Sequence, residues 1–253
     1  MALLLDLDNT LFDSVTIYES TLKQLEKNAK RFGFKNPEEF RLKYSSARTE
    51  AKRDLPKKST NQLRLLYFKK MSESLFGSIR AKWVLDLEAE YFRLFLLGIK
   101  EWKRKNGNEF GKILRLLREI QEHKDLILLT NENLRTQLLK LKVLLPNNFK
   151  YHLTTSEEVG EEKPSRRIFE KALSLDSRKI GQDYMIGDSL EGDIQGALDF
   201  GIEAIHIKGI LSDSNKKDSV LEKRSHAAGS YWEAPDLRSA LNLVLATDQG
   251  RVL

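Results

Sequence analysis

Two acidic residues one position apart follow an apolar run at the start of the chain. The run Ala2–Leu5 leads directly into Asp6, Leu7 and Asp8. Because side chains alternate along a strand, Asp6 and Asp8 would point to one side and could converge on a single substrate atom. The spacing suits a nucleophile and its proton shuttle, and taken alone it also suits a solvated turn or an incidental metal site.

Two further polar positions follow later in the chain. Thr130 ends a second apolar run and precedes Asn131, and Lys163 precedes Pro164. Taken alone, Thr130 could merely cap the helix that follows, and Lys163 could be an exposed charge worth little. Beside a carboxylate, however, a lysine ammonium could neutralise the charge of an anionic substrate.

Asp188 and Asp193 lie in a segment that reads Ile-Gly-Asp-Ser-Leu-Glu-Gly-Asp. Either acid could simply supply favourable negative charge at a helix start. The joint pattern favours one shared site, because every candidate side chain follows a predicted parallel strand at its carboxyl end or opens the next helix. Open α/β sheets bind ligands at that edge.

The elements that must position these groups alternate between short apolar strands and helices from residue 108 onward, which is typical of a parallel sheet. We predict strands at 2–5, 125–129, 150–153, 183–186 and 203–207, and a possible edge strand at 225–233. We predict one helix capped by Asn108, one capped by Asn133, one opened by Pro164 and one closed by Gly201. A polar loop at 209–223 and a final helix at 235–245 complete the prediction.

Residues 14–110 differ from the rest in periodicity and charge. Their apolar residues recur at helical spacing, which predicts about four helices, with Pro37 in the first turn of the second. The segment holds 22 Lys and Arg against 12 Asp and Glu, a balance of +10, whereas the remainder holds 21 against 25, or −4. Such a basic surface could bind nucleic acid, steer anionic substrates or simply be a solvated helix face, and the last reading is favoured.

Composition excludes several classes of protein. The 40% hydrophobic and 32% charged content is that of a folded globular chain rather than a disordered one. Without cysteine there is no disulfide and no thiolate metal site. The first apolar run is too short for a secretory signal, and no run reaches the roughly 20 residues that a membrane helix needs. We therefore expect a cytoplasmic protein without a membrane partner.

The four segments together resemble the haloacid dehalogenase-like hydrolase superfamily. They read Asp-Leu-Asp-Asn-Thr-Leu, Leu-Leu-Thr-Asn, Glu-Lys-Pro-Ser and Ile-Gly-Asp-Ser-Leu-Glu-Gly-Asp-Ile-Gln-Gly-Ala, in that order. The resemblance implies an α/β fold, with a Rossmann-like parallel sheet core at 1–13 and 108–253 and an inserted all-helical cap domain of the first type at 14–107. It also implies that this cap is a mobile lid.

The resemblance also implies a role for each candidate residue. Asp6 is similar to the nucleophile that forms an aspartyl-phosphate, and Asp8 to the acid that protonates the leaving oxygen and then activates water. The phosphoryl oxygens would be held by Thr130, the Asn131 backbone amide and Lys163. The Mg²⁺ ligands would be Asp6, the Asp8 carbonyl and Asp188, with Asp193 orienting the waters of the metal. Gly192 departs from relatives that often carry Asn before the second acid.

We therefore expect a Mg²⁺-dependent phosphatase that acts on a small phosphorylated metabolite. The acid at Asp8 disfavours haloacid turnover, because dehalogenase relatives lack an acid there. Two alternatives stay open: a phosphomutase of the same superfamily, and a nucleic-acid or protein-binding module with a basic cap, of which nucleic acid is the less favoured partner. The sequence names neither the substrate nor the oligomeric state.

Overall fold

The structure is a computed structural model that describes residues 1–56, 58, 62–177, 181–211 and 221–248. By the distribution of its internal contacts the chain divides into two compact units. The first, here called the sheet unit, comprises Met1–Asp13, Lys103–Asn131 and Asn147–Leu253. The second, here called the helical unit, comprises Ser14–Trp102 and Glu132–Pro146.

The sheet unit is built on a seven-stranded sheet with the order β3-β2-β1-β4-β5-β7-β6. All neighbouring strands are parallel except β6 and β7, which form an antiparallel pair. The predicted α/β fold class is therefore confirmed. The strands are β1 (Ala2–Leu5), β2 (Asp125–Thr130), β3 (His152–Thr155), β4 (Tyr184–Gly187), β5 (Glu203–Ile207), β6 (Glu222–His226) and β7 (Gly229–Ala234).

The helices occupy the segments between and beyond these strands. They are α1 (Ser14–Lys27), α2 (Pro37–Asp54), α3 (Arg64–Phe76), α4 (Ala81–Lys105), α5 (Gly107–Gln121), α6 (Leu134–Leu144), α7 (Ser156–Val159), α8 (Arg166–Leu173), α9 (Gly196–Phe200) and α10 (Leu237–Asp248). A 3₁₀ turn spans Ala29–Phe32, and a π-helical turn at Leu190–Gln195 precedes α9.

The central strands are apolar on both faces because helices cover both sides of the sheet. All four residues of β1 are buried, and so are all four of β4. On one face Leu4, Ile127 and Met185 pack with residues of α8 and α9 in a single hydrophobic cluster. Helices α5 and α10 contact each other and also β2 and β5. This burial fixes the register of the strands whose ends carry the candidate side chains.

The helical unit has a core rich in aromatic rings. Tyr67, Phe68, Tyr91 and Phe95 are buried there, and the Tyr91 ring lies 5.8 Å from that of Phe68 and 6.1 Å from that of Phe95. The four helices expected in residues 14–110 correspond to α1 to α4, and Pro37 is the first residue of α2 as predicted. No helix in the described part of the chain is long and apolar enough to cross a membrane.

The two compact units do not coincide with the domain boundaries drawn from the sequence. Residues 103–107 group with the sheet unit, and residues 132–146, which include α6, group with the helical unit. The helix α6 was expected between two core strands because its sequence position lies there. The division into a catalytic core and an inserted cap stays a prediction.

Several predicted local features are confirmed and others are corrected. The Asn133 side chain accepts from the Thr136 amide at the start of α6, and Gly201 ends α9 in the left-handed conformation, both as predicted. Asn108 does not cap α5, which begins at Gly107. Ser165 rather than Pro164 precedes the first residue of α8, and its side chain accepts from the Arg167 amide.

The strand boundaries also shift. Strand β3 lies two residues later than predicted and β4 one residue later. The single edge strand expected at 225–233 is instead an antiparallel hairpin of β6 and β7, because a turn at 227–228 reverses the chain. Of the loop predicted at 209–223, residues 212–220 lie outside the described residues, and residues 222 and 223 belong to β6 rather than to a loop.

Candidate active site

The candidate side chains gather at the carboxyl ends of three adjacent strands, β2, β1 and β4. Asp6 follows β1, and its amide donates to the Ile186 carbonyl of β4 at 2.9 Å, which extends the strand pairing to the site. Thr130 is the last residue of β2, and Asp188 comes directly after β4. The sheet therefore places these residues together, as the topology of an open parallel sheet requires.

Lys163 crosses the site as a buried ammonium. Its side chain is only 4% exposed, and its Nζ donates to Asp6 Oδ1 at 2.6 Å and to Asp193 Oδ1 at 2.6 Å. A third bond runs from Nζ to the Leu129 carbonyl of β2 at 2.8 Å. An ammonium has three protons, so all its donors are used in this arrangement. Lys163 therefore joins the ends of β1 and β2 to the segment after β4.

The charged groups of this cluster shift one another's pKa values. Burial raises the pKa of Asp6 to about 7; Lys163 opposes that rise, whereas Asp193 and Asp188 add to it. Burial acts to lower the pKa of Lys163, but Asp193 and Asp6 outweigh burial and hold that pKa above its usual value. Three carboxylates so close together are not balanced by one ammonium, and additional positive charge would favour their ionised forms.

The three acids form a group that could hold a metal ion. One carboxylate oxygen from each of Asp6, Asp188 and Asp193 lies within 4.8 Å of the others. The second oxygen of Asp6, Oδ2, is buried and has no hydrogen-bond partner among the described residues. An orphaned buried carboxylate oxygen beside two more acids fits a hard divalent cation, which takes oxygen ligands.

Asp188 is held from two sides of its carboxylate by the turn after β1. Asn9 Nδ2 donates to Asp188 Oδ2 at 2.9 Å, and Thr10 Oγ1 donates to Asp188 Oδ1 at 3.4 Å. Asn9 has a φ of 62°, a left-handed conformation that Asn tolerates better than most residues. We did not single out Asn9 and Thr10 from the sequence, although both directly follow the two acids.

Asp193 is fixed by the backbone around it. Its Oδ2 accepts from the Ser189 amide at 3.0 Å, and its Oδ1 accepts from Lys163 at 2.6 Å. Gly192, the departure from the related motif, donates its amide to Ser189 Oγ at 2.9 Å. The structure thus places Asp193 directly against Lys163, a contact that we did not predict. Its expected role with metal-bound waters stays a prediction.

Asn131 holds Lys163 through the side chain. Its Oδ1 accepts from the Lys163 amide at 2.7 Å, and its Nδ2 donates to the Lys163 carbonyl at 3.1 Å. Both backbone groups of residue 163 are therefore bound by one amide side chain. From the sequence we expect a role only for the backbone amide of Asn131, because nothing near residue 131 in the sequence indicates that its side chain binds residue 163.

Asp8 and Thr130 lie beside these groups. Asp8 is half-buried in a turn in which the Asn9 amide donates to the Phe12 carbonyl at 3.1 Å. Thr130 is buried, and its Cα pairs in register with that of Thr155 on β3. Asp8 follows β1 and Thr130 ends β2, and their predicted chemical roles remain predictions.

Comparison with known proteins places the chain in a family. A family model described as haloacid dehalogenase-like hydrolase matches residues 1–201. The chain is 32% identical over 230 residues, 90% of each protein, to a ribulose-1,5-bisphosphate 5-phosphatase of Halopiger xanaduensis. It is 27% identical over 203 residues, 80% of this chain and 79% of the relative, to a glyceraldehyde 3-phosphate phosphatase of Pyrococcus abyssi.

A solved structure supports the fold. The 2-haloacid dehalogenase of Pseudomonas syringae pv. Tomato superposes with a TM-score of 0.64 at 21% identity, covering 98% of this chain and 99% of that one. The family model, the curated relatives and the shared fold agree with the arrangement of strand-end residues described above. The chain belongs to the haloacid dehalogenase-like hydrolases.

Proposed function

We propose that this protein is a Mg²⁺-dependent phosphatase that hydrolyses a small phosphorylated sugar through an aspartyl-phosphate on Asp6. The observation that carries the proposal is the buried Lys163 ammonium, which lies 2.6 Å from both Asp6 and Asp193. The two acids Asp6 and Asp188 sit in the same group. An attacking carboxylate, a fixed cation and an oxygen-ligand group together meet the needs of phosphoryl transfer.

The general class of reaction follows from the family and its curated members. The two relatives that align along most of the chain are named phosphatases, one for ribulose 1,5-bisphosphate and one for glyceraldehyde 3-phosphate. The chain is a phosphoric monoester hydrolase of this family. Both named substrates are small phosphorylated sugars, which supports the same substrate class for this chain.

The donor set fits Mg²⁺. Asp6, through its orphaned Oδ2, and Asp188 would supply carboxylate oxygens, and the Asp8 carbonyl would supply a third. When bound, Mg²⁺ would polarise the phosphoryl oxygens and neutralise the charge that builds on them. Asn9 and Thr10 would keep the Asp188 carboxylate in one orientation through the two hydrogen bonds described above.

Asp6 would act as the nucleophile. A phosphomonoester is dianionic, so a carboxylate can approach phosphorus only where positive charge offsets their repulsion. Lys163 provides part of that charge at 2.6 Å from Asp6 Oδ1. Asp8 would donate a proton to the leaving oxygen and then withdraw one from the water that hydrolyses the aspartyl-phosphate. A sugar alkoxide is a poor leaving group unless it is protonated, which is why the acid at position 8 matters.

The remaining groups would hold the phosphoryl oxygens. The Thr130 hydroxyl and the Asn131 amide lie at the end of β2, the strand whose Leu129 carbonyl binds Lys163. Asp193 would keep the ammonium in place, since it accepts one of the Lys163 protons. Preorganised donors of this kind act in a site from which water is largely excluded.

A first experiment tests the reaction. Purified protein with Mg²⁺ should release inorganic phosphate from members of a panel of sugar phosphates that includes ribulose 1,5-bisphosphate and glyceraldehyde 3-phosphate. Chelation with EDTA should abolish the release, and added Mg²⁺ should restore it. Release that persists in EDTA would refute the metal requirement, and an isomerised sugar phosphate without free phosphate would point to a mutase.

A second experiment tests the assigned acids. Asp6→Asn should abolish turnover and form no phosphoenzyme. Asp8→Asn should slow turnover at least about 100-fold and accumulate an acid-stable phosphoenzyme that mass spectrometry detects. Asp199→Asn is a matched control, because Asp199 is an exposed residue of α9 that accepts from Gln195. Normal turnover by Asp6→Asn would remove that residue from the role of nucleophile.

A further inference from the structure

One histidine lies in register with the end of the strand that carries Asp188. On β5, His206 pairs with Gly187 of β4 on one side and with Glu233 of β7 on the other. Residues in register on parallel strands project their side chains toward the same face. One row of residues therefore runs outward from the candidate site along one face of the sheet, and it consists of Gly187, His206 and Glu233.

His206 contacts the main chain of Asp188. Its Nε2 lies 3.1 Å from the Asp188 carbonyl oxygen. A carbonyl can only accept, so Nε2 must carry the proton in this contact. The Asp188 carboxylate is held by Asn9 and Thr10, and its carbonyl is held by His206. Residue 188 is therefore bound at both its side chain and its backbone.

The histidine ring is itself fixed by its neighbours. Its side chain is 14% exposed, and it packs edge-to-face on Tyr231 with ring centroids 6.2 Å apart. The Nδ1 atom lies 3.8 Å from Glu233 Oε2. Glu233 is held in turn, because its Oε1 accepts from Lys208 Nζ at 2.6 Å and from Arg224 at 3.1 Å. The ring has little freedom to leave the Asp188 carbonyl.

We propose that His206 is a positioning residue that fixes the backbone of Asp188 and thereby sets the affinity of the site for a divalent cation. This inference rests on the proposed function, in which Asp188 supplies a carboxylate oxygen to Mg²⁺. Groups that orient a ligand without touching the metal commonly change its affinity by about 10- to 100-fold. A histidine on β5, the middle strand of the row, is well placed for this role, because it contacts the carbonyl of residue 188 without entering the cluster of acids.

The experiment measures Mg²⁺ binding to the substrate-free protein by calorimetry. His206→Phe keeps a planar ring against Tyr231 but removes the donor, so it should raise the Mg²⁺ dissociation constant by about 10-fold. His206→Gln keeps an amide donor and should stay within about 3-fold of wild type. His226→Phe is the matched control, because His226 packs on the same Tyr231 at 6.5 Å but, among the described contacts, has none with Asp188. It should bind as wild type does.

A second measurement does not depend on any variant folding. Nitrogen chemical shifts of His206 in the wild-type protein should show the tautomer protonated at Nε2. The opposite tautomer would overturn the inference, and so would wild-type Mg²⁺ affinity in a folded His206→Phe protein. If the wild-type protein binds Mg²⁺ and Asp188→Asn does not, the metal site is supported, and the His206 variants then test only the role of His206. If wild type binds no Mg²⁺, the metal site and this inference fall together.

Discussion

The carboxylate of Asp193 occupies the space into which a side chain at Gly187 would project. A Cβ built at residue 187 would lie 2.1 Å from Asp193 Oδ2, which is far inside van der Waals contact. Asp193 cannot move aside easily, because it is bound to the Ser189 amide and to Lys163. The glycine at the end of β4 is therefore a steric requirement for the carboxylate beside it.

Gly187→Ala should consequently displace Asp193 and weaken both the fold and the site. We expect the free energy of unfolding to fall by about 1 to 3 kcal/mol, the usual effect of overpacking, and kcat to fall with it. Gly107→Ala is the control, because nothing lies within 4 Å of its added Cβ at the start of α5. Urea unfolding and phosphate release would measure the two effects; an unchanged Gly187→Ala protein would contradict the steric argument.

Asn131→Ala separates the side chain of residue 131 from its backbone amide. The variant keeps the amide that would bind a phosphoryl oxygen but loses both hydrogen bonds to Lys163, of 2.7 and 3.1 Å. We expect the free energy of unfolding to fall by about 2 kcal/mol because two hydrogen bonds are lost. We also expect kcat to fall, because Lys163 is no longer held in one position. The exposed Asn148→Ala serves as the control. A wild-type kcat in Asn131→Ala would show that the two hydrogen bonds from the Asn131 side chain to Lys163 do not contribute to catalysis.

Lys163→Met removes the ammonium but keeps most of the side-chain volume. Asp6 and Asp193 would then lie buried without their common cation, which should destabilise the fold by about 3 to 5 kcal/mol and abolish turnover. Adding Asp193→Asn should recover part of that stability, because one of the two uncompensated charges is removed. Lys171→Met, an exposed lysine of α8, is the control. Equal stabilities of the single and double variants would contradict the pairing.

The stability of the metal-free protein should depend on pH through Asp6. Burial raises the pKa of Asp6 from 3.8 to about 7, so the folded chain keeps a proton that the unfolded chain releases between these values. A raised pKa stabilises the fold fully below the unfolded value and loses that contribution as the pH rises through the folded one. Asp6→Asn lacks this group, so its stability relative to wild type should increase up to about pH 7 and then level off. Urea unfolding in EDTA across this range measures the difference; parallel curves would contradict it.

The strands and helices that follow a regular hydrophobic pattern could be predicted from the sequence. Buried strands such as β1 and β4 read as continuous apolar runs, and the polar residues at their carboxyl ends had to meet because parallel strands end at one edge. The gathering of Asp6, Thr130, Lys163 and Asp188 around the central strands could therefore be anticipated from order and spacing alone.

Contacts between distant residues could not be read in the same way. The bonds from Asn9 to Asp188 and from His206 to Asp188 join parts of the chain whose sequence gives no mutual signal. The sequence pattern predicts one strand where the structure has the hairpin of β6 and β7, because the short turn interrupts the pattern only briefly. The assignment of α6 to the helical unit depends on packing, which periodicity along a single helix does not reveal.

The position of β1 in the sheet bears on how the chain acquires its structure. This strand spans Ala2–Leu5, yet its two neighbours are β2 and β4, which begin at Asp125 and Tyr184. During synthesis β1 cannot pair until more than a hundred further residues have been made, because its neighbours β2 and β4 come later in the chain. The helices that follow β1 make mostly local contacts and can form earlier. The strand ends that carry the candidate site should therefore come together late in folding, and fragments that end before β4 should contain helices but show no phosphatase activity.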